Sequence, residues 1–373
     1  MKQARAITFL VVASATLGAV FACTAFNDAV VGENEGGATT DVEASTPPNE
    51  AGCTSVRLPP PPPAMPDEGE TSFTTVLREM TFTPDGGSPA QYSFDLDESC
   101  TCPERETCTP ADAGTGPRCD LEGGVDNAGG VLLSGGSILG FPLTDLGTVV
   151  KEGIEKGDNG IVMSVDGYNE KPDDPSVEVS IYRSYGPRDD GGVKKTPEFL
   201  PAEKWTRVRD DVEGASRPKS ISAYVTGGVL VAILERSYLP FKDSFIELQE
   251  GRLVANLEKR GSSYALTNGR IVGRWTTKNL LQNLIYIVPP GNNGKRVCED
   301  ATSMAIFETA TIKNVVCHAA DITRSAALDK TSAACDALSV GAGFEAVPVV
   351  AGDTVDLVTV DVCAGVEAKD CPR

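Results

Sequence analysis

The stretch SISAYVTGGVLVAILE, residues 220–235, decides the fold class. Ser220 to Thr226 and Val229 to Glu235 are runs of β-favouring residues, and they flank Gly227-Gly228. Two glycines supply the positive φ angles of a two-residue turn whose twist matches the strands beside it, so the stretch reads as a β-hairpin. Further strands are predicted upstream at Gly160 to Val165, Ser176 to Arg183 and Trp205 to Val208. Downstream, Phe245 to Leu248, Leu253 to Leu257, Tyr264 to Leu266 and Arg270 to Trp275 continue the pattern. Gly251, Gly261 and Asn268-Gly269 fall at the expected breaks. Phe245, Glu247 and Gln249 alternate with Ile246 and Leu248, which gives the two unlike faces of an antiparallel sheet. The expectation is a mainly β chain with an antiparallel β-sandwich-like body, or an open barrel, over residues 130–276. Thr71 to Thr83 and Gln91 to Asp97 are predicted to add strands ahead of it.

After Trp275 the hydrophobic period changes. Asn279 to Ile287 reads as a short helix ended by Pro289-Pro290. Ala301 to Asp321 reads as helical, with Ile312, Val315, Val316 and Ala319 at helical spacing. Ser325 to Val340 is expected to be a second, Ala-rich helix, and Phe344 to Val362 returns to a β pattern. The C-terminal region is thus predicted as a short α-helical, disulfide-bonded subregion. In it, Cys317 and Cys335 lie one per helix, where a bond would tie the two together. The expected organisation is a signal peptide (1–22), an acidic Pro/Gly-rich linker (23–70), short strands with a Cys-rich loop (71–129), the β body (130–276) and the helical end (277–373). No internal repeat of 20 to 50 residues is present.

The N-terminus carries the address. Met1 to Arg5 holds Lys2 and Arg5, and an apolar run from Ala6 to Ala22 follows, as in a secretory signal. The closing residues Val20-Phe21-Ala22-Cys23 resemble the lipobox of bacterial lipoproteins. That resemblance covers residues 1–23 alone. It implies a diacylglyceryl group and palmitate-type chains on the Cys23 sulfur, with cleavage leaving that cysteine as the mature N-terminus. Acyl chains contribute about 0.8 kcal/mol per buried methylene, enough in combination for a stable tether. Ordinary cleavage after Ala22 is the alternative and leaves Cys23 as a free thiol. No later segment has the roughly 18 uninterrupted apolar residues of a membrane span. The expected place is the cell envelope, at the outer membrane if the host has two, since no Asp follows Cys23.

The chain has eleven cysteines. With Cys23 acylated, Cys53, Cys100, Cys102, Cys108, Cys119, Cys298, Cys317, Cys335, Cys363 and Cys371 remain. That even set suits disulfides in an oxidising compartment, with connectivity open. Cys100, Cys102, Cys108 and Cys119 crowd into a Pro- and Gly-rich loop whose spacing does not match a zinc site. Loss of Lys2 and Arg5 with the signal takes the net charge from -20 to about -22. Phosphate backbones repel such a polyanion, which excludes generic nucleic-acid binding. The acidic linker around Pro59 to Pro63 is expected to act as a stiff spacer.

Catalytic motifs are sparse. The one histidine is His318, read as an ordinary helix residue, so a multi-histidine metal site is impossible. No nucleophile elbow or phosphate loop occurs; Gly135 to Gly140 and Gly291 to Arg296 have the wrong spacing. Two acidic clusters have calcium-like oxygen spacing. Asp120, Glu122 and Asp126 surround Gly123 and resemble half of a glycine-turned calcium loop. Asp166, Asn169, Asp173 and Asp174 fill a turn between two predicted strands. A solvated turn is the competing reading of each. Trp275 is expected in the core, with Trp205 undecided. The expected function is a membrane-anchored binding or structural envelope component, with a protein or glycan ligand unspecified. The alternative is an exported glycan hydrolase using paired carboxylates, for which the sequence singles out no pair.

Overall fold

The computed structural model describes residues 55–371 apart from 67–68, 83–86, 102–106, 111–118, 136, 139–140, 143–145, 216, 242–243, 290–291, 310 and 359–362. Residues 1–54 and 372–373, with the signal stretch, Cys23 and Cys53, lie outside the described residues, as does Cys102. The described part belongs to one compact unit, Asn49–Arg373.

Nine strands make one curled, almost wholly antiparallel sheet. They are β1 (Thr71–Thr81), β2 (Gly160–Tyr168), β3 (Glu178–Ser184), β4 (Lys204–Val208), β5 (Ser220–Thr226), β6 (Val229–Phe241), β7 (Ser244–Arg260), β8 (Ser263–Thr276) and β9 (Ala337–Val355). The order is β3-β2-β1-β9-β8-β7-β6-β5, with β4 running parallel to the end of β9. The two outer strands meet. Ser180 bridges Lys219, Asp174 bridges Val225, and Val177 and Ile181 donate backbone N–H groups to Ala223 and Pro218. The sheet therefore closes as an eight-stranded barrel, which removes its exposed edges. The two layers expected of a sandwich are opposite walls of this single sheet.

The hairpin at Gly227-Gly228 forms as expected, both glycines having positive φ. Gly251 and Asn268-Gly269 do not end strands. They sit at register shifts within continuous ladders, between β7 and β8. Such bulges bend a strand and increase its twist, which a closing barrel requires.

The interior is filled by side chains. Phe73, Leu77, Met163, Ile181, Leu230, Leu253, Leu266 and Phe344 belong to one buried cluster. Parts of the outer wall are buried too. Trp205 of β4 covers Val76, Val162, Val347 and Val349. Phe94 and Leu96 cover Val272, Ile322 and Ala337, with Val56 and Leu58 packed beside them. The Tyr224 hydroxyl donates to the Pro59 carbonyl. The part of the acidic linker at Ser55 to Pro59 thus lies along the barrel wall, held by apolar contacts and this bond.

Six α-helices complete the described fold: α1 (Ala128–Gly135), α2 (Leu146–Lys156), α3 (Arg209–Glu213), α4 (Thr277–Ile285), α5 (Ala301–Thr309) and α6 (Thr311–Ala319). Helix α2 touches both β1 and β6, which stand opposite one another in the ring. It therefore crosses one end of the barrel and seals it with Val150 and Ile154, both fully buried. Helix α4 starts at the same end, where the Thr276 hydroxyl caps it by accepting from Asn279 N. Its residues Leu280, Leu281, Leu284 and Ile285 are buried. Among the described residues no helix is long and apolar enough to cross a membrane.

Two expected elements are corrected. Gln91 to Asp97 is not a strand: a short 3-10 turn, Pro89–Tyr92, gives way to a loop. Asp95 and Asp97 both accept from Ser99 N, local bonds that compete with a ladder. Ser325 to Val340 is not a helix either. It contains a 3-10 turn, Ala326–Leu328, and then the first residues of β9. Cys335 accordingly bonds Cys108 rather than Cys317, which bonds Cys371; Cys298 bonds Cys363. Cys100 and Cys119 are disulfide-bonded as well.

Candidate functional site

A groove runs between the end of β3, the β6–β7 hairpin, helix α4 and the C-terminal tail. It comprises a cavity of about 300 Å³ and an adjoining one of about 550 Å³, which share Glu247, Asn279 and Tyr286. One wall is built on Arg183. Asp211 of α3, itself buried, holds that guanidinium bidentately at 2.7 and 3.0 Å. The cation lies 4.6 Å from the Tyr238 ring and 6.0 Å from Phe245, whose edge meets Tyr185. Burial pushes the Tyr238 hydroxyl up to about 12 and raises that of Tyr185, so both phenols stay protonated donors at neutral pH.

The other wall is amide-rich. Asn279 Oδ1 accepts from Trp275 Nε1 at 2.8 Å and from Asn283 Nδ2 at 3.1 Å. Gln282 donates to the Tyr286 hydroxyl and to the Val366 carbonyl, and its Oε1 accepts from Ala368 N. The tail is thereby pinned along α4, and the Cys298–Cys363 and Cys317–Cys371 bonds hold it there. Aromatic faces, fixed amides and one preset cation give the lining of a site for a polar ligand with an apolar face.

The acidic clusters part company. Asp174 is fully buried, yet Oδ2 accepts from Asn169 N and Oδ1 from Ser176 N. Asp173 Oδ1 accepts from Gly227 N, and Asn169 Nδ2 donates to the Asp173 carbonyl. Asp166 is exposed. Asn169, Asp173 and Asp174 thus place oxygens on N–H groups of turns, Asn169 Oδ1 accepting from Lys171 N.

The other cluster is more than a turn. Gly123 and Gly124, at φ 81° and 69°, reverse the chain so that Leu121 pairs with Val125. Glu122 points outward and is exposed, whereas Asp126 is buried. Asp126 meets Asp95 and Asp97, neither of which the sequence singled out, and one carboxylate oxygen from each of the three lies within 4.8 Å of the others. The available signal was Asp95-x-Asp97, two acids alternating with Phe94 and Leu96.

Burial first, then Asp95 and Asp329, pushes Asp97 up to about 7, although Thr107 and the Ser99 N–H pull it down. Asp120 rises to about 8 through burial and the charges of Asp97, Asp321 and Asp95. Asp126 is raised well above the carboxylate range by burial and then by Asp97, Asp321 and Asp120.

Trp205 and Trp275 are both core residues. His318 is half-buried near the end of α6. No protein-family model matches the chain, and neither a curated protein nor a solved structure is similar to it.

Proposed function

We propose that the chain is an exported lipoprotein of the cell envelope, tethered through Cys23, whose barrel binds a glycan in the groove beside α4. The groove carries this reading. Tyr185, Phe245 and Tyr286, none of them fully buried, offer rings on which sugars stack through their C–H surfaces. Asn279, Asn283, Glu247 and Arg183 offer hydrogen-bonding groups held by neighbours, so little ordering is lost on binding. Three described disulfides, with Cys100 and Cys119 also bonded, support an oxidising compartment outside the cytoplasm.

The test uses the full mature protein extracted from a membrane fraction in detergent. Its intact mass reports the lipid on Cys23, and calorimetric titration with a panel of oligosaccharides reports the groove. Saturable binding that falls about tenfold or more in Tyr286→Ala is expected. An unmodified Cys23 would remove the tether and leave the groove standing. Indifference of the protein to every oligosaccharide in the panel would sink the ligand.

A further inference from the structure

We infer that Asp95, Asp97 and Asp126 form a binding site for a hard divalent cation, Ca²⁺, that ties the 93–99 loop on the barrel wall to the 120–126 turn. The inference is independent of the groove and of its ligand.

Three observations carry it. The first is convergence: three buried carboxylates from two separate chain segments bring oxygens within 4.8 Å of one another. The second is the lack of partners. Asp95 and Asp97 are 2% and 4% exposed, and the Oδ2 atom of each makes no hydrogen bond; the Thr107 hydroxyl beside Asp97 is itself without one. A buried carboxylate oxygen without a donor is among the costliest groups a fold can keep, and the three carboxylates, brought this close, repel one another when ionised. The third is where the nearby cations go. Arg252 donates to the Asp95 and Leu96 carbonyls. Arg274 is 1% exposed and gives its donors to Asp329 and the Thr323 and Leu96 carbonyls, with Glu250 at 3.2 Å. Neither guanidinium bonds the three carboxylates.

The remaining oxygens are already set. Asp126 Oδ2 accepts from Leu96 N at 2.6 Å and Asp97 N at 3.3 Å, while Oδ1 of both Asp95 and Asp97 accepts from Ser99 N. Those bonds orient the carboxyl groups as outer partners orient metal ligands. An all-oxygen, carboxylate-rich donor set without sulfur or imidazole selects hard cations. Side chains on irregular loops suit the loose coordination of Ca²⁺ better than the strict octahedron of Mg²⁺. The consequence is mechanical. The loop from Ser93 to Ser99 covers β8 and β9 and is held to the 120–126 turn by Asp126 N donating to the Phe94 carbonyl. A cation shared by both segments adds the cross-link that this stretch, poor in regular structure, otherwise takes from disulfides.

The experiment is a calcium titration of the EDTA-treated full-length mature protein, followed by calorimetry and thermal unfolding. One equivalent binds, and at about a hundredfold excess over Kd the melting temperature rises by about 5 °C. Asp97→Asn and Asp126→Asn each weaken binding at least about tenfold and abolish the calcium-dependent shift. Glu122→Gln, an exposed change, leaves both intact. Asp97→Asn in EDTA melts no lower than the unaltered protein, because the amide removes a repulsion. Absence of heat and of a melting shift at millimolar calcium in the unaltered protein would overturn the inference, whatever the variants do. Binding that survives both aspartate substitutions would place the ion elsewhere and overturn it equally.

Discussion

Single side chains in this molecule differ sharply in what burial does to them. Tyr168 closes the barrel end opposite α2, its ring 5.3 Å from Tyr264 and 6.4 Å from Phe73, and its hydroxyl donates to the Lys171 carbonyl. Tyr238 lies under Arg183. Burial pushes both hydroxyls up to about 12. In the unfolded chain a tyrosine ionises near about 10. The folded state therefore holds these protons more tightly, and the stability they contribute is full below about pH 10 and is lost as pH rises towards about 12. Phenolate absorbance is expected to show a fraction of the eight tyrosines titrating late. Tyr238→Phe removes one late step and lessens the alkaline loss of stability. An alkaline titration of the variant that overlays the original would refute this.

At the scale of elements, β9 shows how one strand can serve two faces. Leu338, Val340, Ala342 and Phe344 line the interior, while Ser339, Gly341 and Gly343 meet the outer cover. The glycines are small for a reason: a Cβ on Gly341 would collide with the Tyr92 carbonyl, a backbone atom that cannot swing away. Gly341→Ala is expected to destabilise the protein by roughly 1–3 kcal/mol, read from the urea midpoint. It also displaces the start of the loop that carries Asp95. Gly147→Ala is the control, since nothing lies within 4 Å of its Cβ in α2. There a helix-favouring residue is expected to add about 0.5 kcal/mol. Ser325 to Val340 reads as a helix because it is rich in alanine, the best helix former, although only its last residues, from Ala337, enter a strand. In β7, by contrast, one face is wetter, and the alternation of Phe245 to Gln249 is legible.

For the whole molecule, the Cys108–Cys335 bond joins segments 227 residues apart. It ties the Cys-rich loop to the run into β9, where Thr109 N donates to the Ala333 carbonyl and Cys335 N to that of Thr109. A long closed loop constrains the unfolded chain most, so the paired Cys108→Ser/Cys335→Ser variant is expected to lose about 2–5 kcal/mol. Equilibrium unfolding in urea measures it, and an unchanged midpoint would show that the two hydrogen bonds suffice. The N-terminal and C-terminal parts of the sheet, β1 and β9, lie side by side near its middle. Barrel closure thus depends on contacts between distant parts of the sequence.

The sequence by itself determined the local structure: the hairpin at Gly227-Gly228, most strand positions, the helix after Trp275 and the glycine turn between Asp120 and Asp126. Each follows from side-chain period or turn chemistry acting over a few residues. Tertiary structure decided the rest. Closure of the sheet, the pairing of Cys335 with Cys108 and the path of Ser55 to Pro59 on the barrel wall all join residues far apart in the chain. Asp95 and Asp97 belong with Asp126 because a folded loop brings their carboxyl groups together out of water. No local pattern records that convergence, since charge repulsion and desolvation act through space and not along the sequence.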